Sequence, residues 1–161
     1  MKNGIGLKSA NIRLVSVTGA NRALVAALEL APEQIDFVAS NADSLDEAET
    51  DEDARPRVIM AGDHVVGFLM YDAPRDDDEA RIYRFMIARA SQGRGYGKAA
   101  LREVLDEIIG LGHISHVSIC YEPDNEAARS LYRTAGFVEE GLDEDGEMIA
   151  NLVLSGTDRR S

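Results

Sequence analysis

The chain has 161 residues, of which 45% are apolar and 29% charged, a composition typical of one globular domain and not of a disordered or collagen-like chain. Acidic residues outnumber basic residues by 29 to 17, and the net charge of -12 disfavours binding to nucleic acids or anionic membranes. The same charge permits a cationic substrate, although acidity also serves simply to keep a protein in solution.

No apolar run reaches the roughly 18 residues that a membrane-spanning helix needs, and the first residues lack the apolar core and cleavage site of a secretion signal. The single cysteine, Cys120, excludes an intramolecular disulfide and a zinc site built from cysteines. We therefore expect a cytoplasmic protein with one domain over residues 11–155 and flexible ends at residues 1–10 and 156–161.

The first half of the chain predicts helices after the first strand and then a group of strands. Gly19 and Asn21 separate the first strand from a helix, and Pro32 suits the first turn of a further helical segment. A capping box from Ser44 to Glu47 predicts where the next helix begins. Three β-rich segments joined by turns then predict an antiparallel meander. The predicted segments are the strand Ile12–Val17, the helices Arg22–Leu30 and Ser44–Thr50, and the strands Arg57–Met60, Val65–Tyr71 and Arg81–Ala88.

The second half alternates helices and strands. Apolar residues recur at helical spacing over Gly97–Ile109, and again from Ala128 to a terminating glycine at Gly136. A strand, a crossover helix and another strand imply one parallel pair in an otherwise antiparallel sheet. The fold class predicted is therefore α/β, a mixed sheet of about seven strands with about four helices. The remaining strands are predicted at Val117–Cys120, Phe137–Val138 and Met148–Leu154.

The segment Gln92-Gly93-Arg94-Gly95-Tyr96-Gly97-Lys98 lies between a predicted strand and a predicted helix. Alternate glycines leave backbone N–H groups unobstructed and the helix N-terminus adds partial positive charge, so the segment predicts an anion site, most often for phosphate. It is not a Walker A loop, because Ala99 stands where Ser or Thr would bind magnesium. Nor is it the dinucleotide fingerprint, because Lys98 replaces the third glycine. A tight turn without a ligand is the alternative.

A second motif begins about thirty residues later and reads Asn125-Glu126-Ala127-Ala128-Arg129-Ser130-Leu131-Tyr132-Arg133-Thr134-Ala135-Gly136-Phe137. It resembles, at every fixed position, the N-x-x-A-x-x-L-Y-x-x-x-G-F segment of the GNAT superfamily of acetyl-CoA-dependent N-acetyltransferases. Gln92-x-x-Gly95-x-Gly97 resembles the pyrophosphate loop of that superfamily. The resemblance extends over roughly residues 11–155 and implies a GNAT-like fold in which the parallel strands splay at the CoA site.

The resemblance implies roles for residues of both motifs. Backbone groups of Met86, Ile87 and Ala88 would pair with the pantetheine arm of acetyl-CoA, and the Ile87 N–H would polarise the thioester carbonyl. Asn125 would hydrogen-bond the CoA arm, and Tyr132 would protonate the departing thiolate. Backbone amides would hold the pyrophosphate at Gln92, Gly93, Arg94, Gly95, Tyr96, Gly97 and Lys98. The resemblance implies no metal.

Several of these residues have a simpler structural role open to them. Asn125 is suited to cap a helix, which does not exclude contact with the cofactor. Tyr132 lies on an apolar helical stripe with Leu131, as a core residue would. Arg94 and Lys98 are suited to bind phosphate or to remain solvated. The same two roles are open to Arg129 and Arg133.

The base that removes a proton from the amine is not evident from the sequence. Many members of the superfamily have a glutamate on the strand before the loop, whereas this chain has Arg81-Ile82-Tyr83-Arg84-Phe85-Met86 there. Asp72 and Tyr83 are the candidates. His64, His113 and His116 are expected to be ordinary surface residues, and Cys120 a small buried apolar one.

The acceptor site is expected near the N-terminal helices. The segment Phe37-Val38-Ala39-Ser40-Asn41, followed by Ser44-Leu45-x-x-Ala48, resembles bacterial spermine/spermidine (diamine) acetyltransferases. That resemblance implies a polyamine acceptor, with Glu33, Asp36 and Asp72 as candidate amine contacts, although Glu33 and Asp36 also favour a helix start. The alternatives are an aminoglycoside or other small-amine acetyltransferase and a non-catalytic CoA-binding sensor. The resemblance is also compatible with a homodimer.

Overall fold

In a computed structural model of the protein, the structure describes residues 11–28 and 41–154. Seven strands form one sheet in the order β1-β2-β3-β4-β5-β7-β6. All neighbouring strands are antiparallel except β4 and β5, which are parallel, so the predicted mixed sheet is confirmed. The strands are β1 (Ile12–Ser16), β2 (Ala54–Ala61), β3 (His64–Asp72), β4 (Glu79–Ile87), β5 (His116–Tyr121), β6 (Val138–Leu142) and β7 (Met148–Val153). The helices are α1 (Gly19–Ala26), α2 (Asn41–Thr50), α3 (Tyr96–Gly110) and α4 (Glu126–Thr134).

The sheet has a hydrophobic core on each face. On one face, α3 contributes the buried stripe Leu101, Val104 and Ile108, and α4 contributes Tyr132. On the other face, Val25 of α1 and Leu45 of α2 pack against side chains such as Phe68 and Met70 of β3. Because successive side chains of a strand point to opposite faces, β3 supplies both cores.

The N-terminal helices begin earlier than the sequence predicted. Thr18 caps α1, because its hydroxyl accepts the Asn21 N–H at 3.3 Å while its own N–H donates to the Asn21 side chain at 2.8 Å. The capping box predicted from Ser44 to Glu47 is wrong, since α2 begins at Asn41 and Ser44 is buried within it. Glu33 and Asp36 lie outside the described residues, as do the helical segment predicted at Pro32 and the predicted chain ends.

The predicted three-stranded meander has a fourth member, because β1 pairs antiparallel with β2. β6 extends to Leu142, beyond the two residues that the sequence indicated. Gly136, which has φ +107°, ends the turn before β6, as its predicted terminating role requires. No helix among the described residues is both long and apolar enough to span a membrane.

The parallel strands β4 and β5 separate part-way along their length. They pair only from Glu79 opposite His116 to Ile82 opposite Ile119. The residue that follows Ile82 is a β-bulge, because Ile82 lies opposite Tyr71 and Arg84 opposite Met70, which leaves Tyr83 without a partner on β3. A bulge bends its strand, so β4 turns away from β5 at the residue where their pairing ends.

Candidate active site

A cavity of about 810 Å³ lies where β4 and β5 separate. Its wall includes β4 from Arg81 to Ile87, the end of β5 and the start of α4. The segment between β4 and α3 closes one end, which we call the loop end (Gln92, Gly93, Gly95, Tyr96 and Gly97). Carboxylates line another part of the wall, which we call the acid end (Glu47, Asp51, Asp72, Glu122 and Glu147).

The last residues of β4 present backbone groups to the cavity. The Ala88 N–H donates to the Val66 carbonyl at 2.7 Å, so by strand alternation the backbone of Ile87 faces away from β3, toward the gap. The Gln92 side-chain amide donates to the Ile87 carbonyl at 2.9 Å. The Ile87 N–H is thereby left directed at the opening between the strands, where a substrate carbonyl can accept it.

Fewer residues present backbone groups to the gap than the three that the sequence predicted. The Ala88 carbonyl accepts the Ser91 N–H at 2.8 Å, so both backbone groups of Ala88 are bonded within the protein. Met86 faces β3 with its backbone, although its side chain reaches the cavity wall. Of the three residues predicted at this position, the structure therefore brings only the Ile87 backbone to the gap.

The loop end has the geometry of an anion site. Gly93 and Gly95 both have φ +81°, a conformation that L side chains rarely adopt, and an added Cβ at either would meet open space. The first intrahelical bond of α3 runs from the Ala99 N–H to the Gly95 carbonyl, so the N–H groups of Tyr96, Gly97 and Lys98 have no acceptor within the helix. These donors and the helix dipole favour a negatively charged group in front of them.

Two cationic side chains of the loop do not line the cavity. Arg94 is exposed. Lys98 instead borders a second, smaller cavity between α3 and α4. The structure thus brings the backbone of this segment to the site, while Arg94 and Lys98 keep only a peripheral position.

Tyr132 lies in an aromatic cluster at the cavity wall. Its ring is 5.3 Å from the Tyr121 ring and 5.9 Å from the Phe137 ring, measured between centroids, and the side chain is 5% exposed. Burial is the main cause that raises the pKa of Tyr132 above the ordinary value for tyrosine. The hydroxyl therefore stays protonated at physiological pH and is available as a donor. Tyr132 is therefore both a residue of the hydrophobic core and a residue of the cavity wall.

Asn125 likewise combines its two open roles. Its side chain caps α4 by accepting the Ala128 N–H at 3.1 Å, and the residue also lines the cavity.

Arg129 pairs with Glu139 of β6, whose carboxylate accepts at 2.8 Å from Nε and at 3.1 Å from Nη2. Arg133 is exposed on the same helix, with Glu139 at 3.9 Å. Arg129 thus fastens α4 to β6 and holds the helix that carries Tyr132.

At the acid end, both arginines of the wall are paired with carboxylates. Arg81 donates to Asp72 at 2.9 Å. Arg84 donates to Glu47 at 3.0 Å and to the Ser44 hydroxyl at 2.9 Å, which ties β4 to α2. No ion pair engages the other three carboxylates of the wall within the described residues: Asp51, Glu122 and Glu147.

The structure weakens both candidates for the base. Asp72 is buried and its carboxylate already accepts from two guanidinium nitrogens of Arg81. Burial, followed by nearby carboxylates such as Asp72, raises the pKa of Tyr83 to about 12. A phenol with that pKa is neutral at physiological pH and cannot take a proton from an ammonium group. The Tyr83 hydroxyl is buried and has no partner among the described residues.

Cys120 is exposed and lines the cavity, so the prediction of a small buried apolar residue is wrong. Its Sγ and carboxylate oxygens of Asp143 and Glu147 lie within 4.8 Å of one another. Partial desolvation, followed by the negative charges of Asp143 and Glu147, raises the pKa of the thiol, which disfavours the nucleophilic thiolate. The Asp143 side chain stabilises the loop before β7, because one of its carboxylate oxygens accepts the N–H groups of Asp145 and Glu147, both at 2.9 Å. The carboxylates of Asp143 and Glu147 thus place negative charge beside Cys120.

Of the five carboxylates of the acid end, sequence reasoning named only Asp72 as a site residue and missed Glu47, Asp51, Glu122 and Glu147. The acidic run before β7 was visible in the sequence, but such runs are usually solvated. In the structure this run lies at the cavity because of strand register. Tyr121 lies opposite Met148, which brings the loop before β7 to the separated end of β5.

Residues 22–137 match the model of the acetyltransferase (GNAT) family. The chain belongs to this family. Its fold, its paired motifs and the donors at the loop end agree with that membership, so the chain is a GNAT N-acetyltransferase that uses acetyl-CoA. In this GNAT domain the open backbone donors of the loop end suit a negatively charged group.

A curated relative of this GNAT domain is the spermine/spermidine N(1)-acetyltransferase of Bacillus subtilis (strain 168). The two sequences are 27% identical over 146 residues, which cover 86% of this chain and 96% of the relative.

Solved structures of other acetyltransferases share the GNAT fold. The spermidine N-acetyltransferase from Vibrio cholerae, in complex with CoA and spermine, has a TM-score of 0.75 at 17% identity over 91% of this chain and 98% of that chain. The aminoglycoside acetyltransferase AAC(6')-Ib, in complex with coenzyme A and kanamycin, has a TM-score of 0.76 at 19% identity over 93% and 99%. At these identities the structural likeness shows the fold alone.

Proposed function

We propose that this GNAT domain transfers the acetyl group of acetyl-CoA to a primary amine of a small polycation, with spermidine or spermine as the favoured acceptor. The observation that supports this acceptor most is the acid end of the cavity. Three of its five carboxylates have no cationic partner among the described residues. An excess of negative charge in a partly enclosed cavity attracts a cationic substrate and is costly without one. The 27% identity to a spermine/spermidine acetyltransferase agrees with this proposal.

The loop end would hold acetyl-CoA through backbone donors. The N–H groups of Gly93, Gly95 and the first turn of α3 would bind the pyrophosphate, and Asn125 would contact the CoA arm. The Ile87 N–H would donate to the thioester carbonyl and stabilise the charge that develops on its oxygen. Tyr132 would donate its proton to the leaving sulfur.

Asp72 keeps a part in this proposal as an electrostatic contact, with Arg81 beside it. The roles proposed for Glu33 and Asp36 stay predictions, since both residues lie outside the described part of the chain.

The proposed function is tested by the release of free thiol from acetyl-CoA with a panel of amines. The panel pairs spermidine and spermine with butylamine, which has one primary amine and no second charge, and adds aminoglycosides, amino acids and short peptides. We expect kcat/KM for spermidine to exceed that for butylamine at least about tenfold at low salt, and the ratio to fall as salt screens the acid end.

Equal kcat/KM values for spermidine and butylamine, at low and high salt, would contradict the polycation proposal. Turnover of an aminoglycoside in preference to both polyamines would assign the acid end to a larger polycation. Saturable CoA binding in calorimetry without turnover of any amine would favour the non-catalytic sensor.

A further inference from the structure

The proposed reaction needs a proton acceptor in the cavity. A primary ammonium group has a pKa near that of lysine, about 10.4, so only a small fraction is neutral at pH 7. A carboxylate can serve as the base if its oxygen is free to approach the ammonium group, directly or through one water molecule. The absence of a glutamate between Arg81 and Ile87 on β4 means that another element must supply the base.

Most carboxylates of the acid end are unsuited to this task. Asp72 and Glu47 are paired with Arg81 and Arg84, so their carboxylates already have a cationic partner. An Asp51 oxygen accepts the Asp53 N–H at 3.0 Å and closes the turn after α2. Glu122 and Glu147 remain as the carboxylates of the wall whose side chains have no hydrogen-bond or ion-pair partner in the described part of the chain.

Glu147 is held in place by its backbone while its side chain stays free. Its N–H donates to the Asp143 carboxylate at 2.9 Å, and its carbonyl accepts the Asp143 N–H at 2.8 Å. These two bonds close the loop before β7. The Glu147 carboxylate then lies against Cys120, on the separated part of β5 that faces the end of β4.

The chemical surroundings of Glu147 suit a base. The side chain is half-buried, and desolvation is the main cause that raises the pKa of its carboxyl group, followed by the charges of Asp143, Glu122 and Asp145. Arg84 on β4 acts in the opposite direction. The raised pKa moves Glu147 closer to neutral pH, where a base is most effective.

We propose that Glu147 is the general base: its carboxylate binds the reacting ammonium group of the acceptor and removes a proton from it. This inference rests on the proposed function for its amine substrate.

Both protons that the ammonium group loses have a defined acceptor. Glu147 takes one proton from the ammonium group, and the neutral nitrogen forms a bond to the acetyl carbon. The bond from that carbon to sulfur breaks, and the sulfur leaves with the electron pair and takes a proton from Tyr132. The nitrogen loses its second proton, which restores the Tyr132 hydroxyl through solvent. Glu147 then releases its proton to water, so that one amide, one thiol and one proton are formed.

The test compares Glu147→Gln with wild-type enzyme over pH 5 to 10, using acetyl-CoA and each amine that the wild-type enzyme acetylates. We expect kcat to fall about 100-fold at pH 7 and the acidic limb of the wild-type profile to disappear. The deficit should shrink toward pH 10, where a substantial fraction of the amine is already neutral without help from the enzyme. The affinity for CoA should not change, because the loop end is untouched.

The matched control is Glu144→Gln, which removes the same charge from an exposed residue of the same loop. We expect kcat of this variant to stay within twofold of wild type. Glu122→Gln tests the other free carboxylate, and we expect it to raise KM for the amine while it retains the acidic limb. Glu147→Asp keeps a carboxylate on a shorter side chain, so partial recovery of kcat over Glu147→Gln is expected.

A second readout does not depend on turnover. Because the pKa of Glu147 is raised in the folded state, its ionised form destabilises the fold above that pKa. Glu147→Gln should therefore melt at a higher temperature than wild type at pH 8, and the difference should vanish below the ordinary glutamate pKa of about 4.3. A lower melting temperature at pH 8 would contradict the half-buried, unpaired state of Glu147.

The outcomes separate the two proposals. If the enzyme acetylates other amines but no polyamine, and Glu147→Gln loses the acidic limb with those amines, the role of Glu147 stands and the polyamine proposal fails. If Glu147→Gln raises only KM, or retains kcat and the limb, Glu147 is not the base and the function stands. If the wild-type enzyme acetylates no amine at all, both proposals fail.

Discussion

The two ends of the cavity are built in different ways. The loop end presents backbone N–H groups from one continuous segment, Gln92 to Gly97, and almost no charged side chain. The acid end presents side chains from α2, the turn after α2, the end of β3, the segment after β5 and the loop before β7. The loop end is therefore determined by local conformation, and the acid end by which elements the sheet brings together.

This difference suggests how the two ends vary independently. A backbone site needs only glycines at positions with positive φ and a helix behind them, so it can stay constant while other residues change. A site of side chains changes whenever one of its contributing elements changes its sequence. We expect the loop end to govern the affinity for acetyl-CoA and the acid end to govern the KM for the amine.

The largest effect is expected from Tyr132→Phe, which removes the proposed acid from the cavity wall. The ring keeps its contacts with Tyr121 and Phe137, so folding should be retained. We expect kcat to fall about 100-fold with little change in the affinity for CoA, measured by thiol release and calorimetry. Turnover equal to that of wild type would show that Tyr132 is a core residue only.

The next effect is expected from Gly95→Ala at the loop end. A side chain at φ +81° costs roughly 1–2 kcal/mol, so the loop should relax away from its anion-binding conformation. We expect about a tenfold rise in Kd for CoA, measured by calorimetry. The control is Gly112→Ala, which has φ +85° and equally open space after α3 but lies outside the cavity wall. Similar losses of CoA affinity in both variants would mean that strain, and not the site, causes them.

A smaller effect is expected from Asp51→Asn at the acid end. Removal of one partly exposed carboxylate should raise KM for spermidine about threefold at low salt and leave the affinity for CoA unchanged. The adjacent Glu52 is exposed and outside the cavity wall, so Glu52→Gln provides the control. If both variants raise KM equally, the overall charge of the protein attracts the amine and the acid end has no specific part.

The smallest effect is expected from Tyr83→Phe. The hydroxyl of Tyr83 is buried without a partner among the described residues, so its loss should leave stability unchanged or raise it by about 1 kcal/mol. We expect kcat within twofold of wild type. A tenfold fall in kcat without loss of stability would show that the Tyr83 hydroxyl takes part in the reaction.

Gly136 and the Gly93–Gly95 pair show what can be predicted from a few residues. Each is a glycine whose positive φ is required locally, and each appears in a short motif with fixed spacing. The change from alternation to helical spacing at α3 is equally local, which explains why the order of strands and helices is confirmed. The limits of α1 and α2 were missed because the side chains that decide them have competing local roles: Asn21, treated as a helix breaker, completes the Thr18 cap, and Ser44, treated as a cap, is buried below Arg84.

Glu147 shows what cannot be predicted in this way. In the sequence it is the last of several acidic residues in a loop, with the appearance of a solvated segment. Its place in the cavity depends on the pairing of Tyr121 with Met148, which are 27 positions apart in the chain. Asp72 and Glu47 differ from Glu147 in having ion pairs with arginines. Those ion pairs also depend on side chains from other strands and helices.

Family membership, the mixed sheet and the open backbone donors of the loop end could be predicted from the sequence, because glycine conformation, helix termini and strand periodicity act over a few neighbouring residues. The fold was needed to show which carboxylates pair with arginines and which line the cavity without a cationic partner among the described residues. The pairing and desolvation of a charged side chain depend on groups distant in the chain, and these meet only when the sheet is complete.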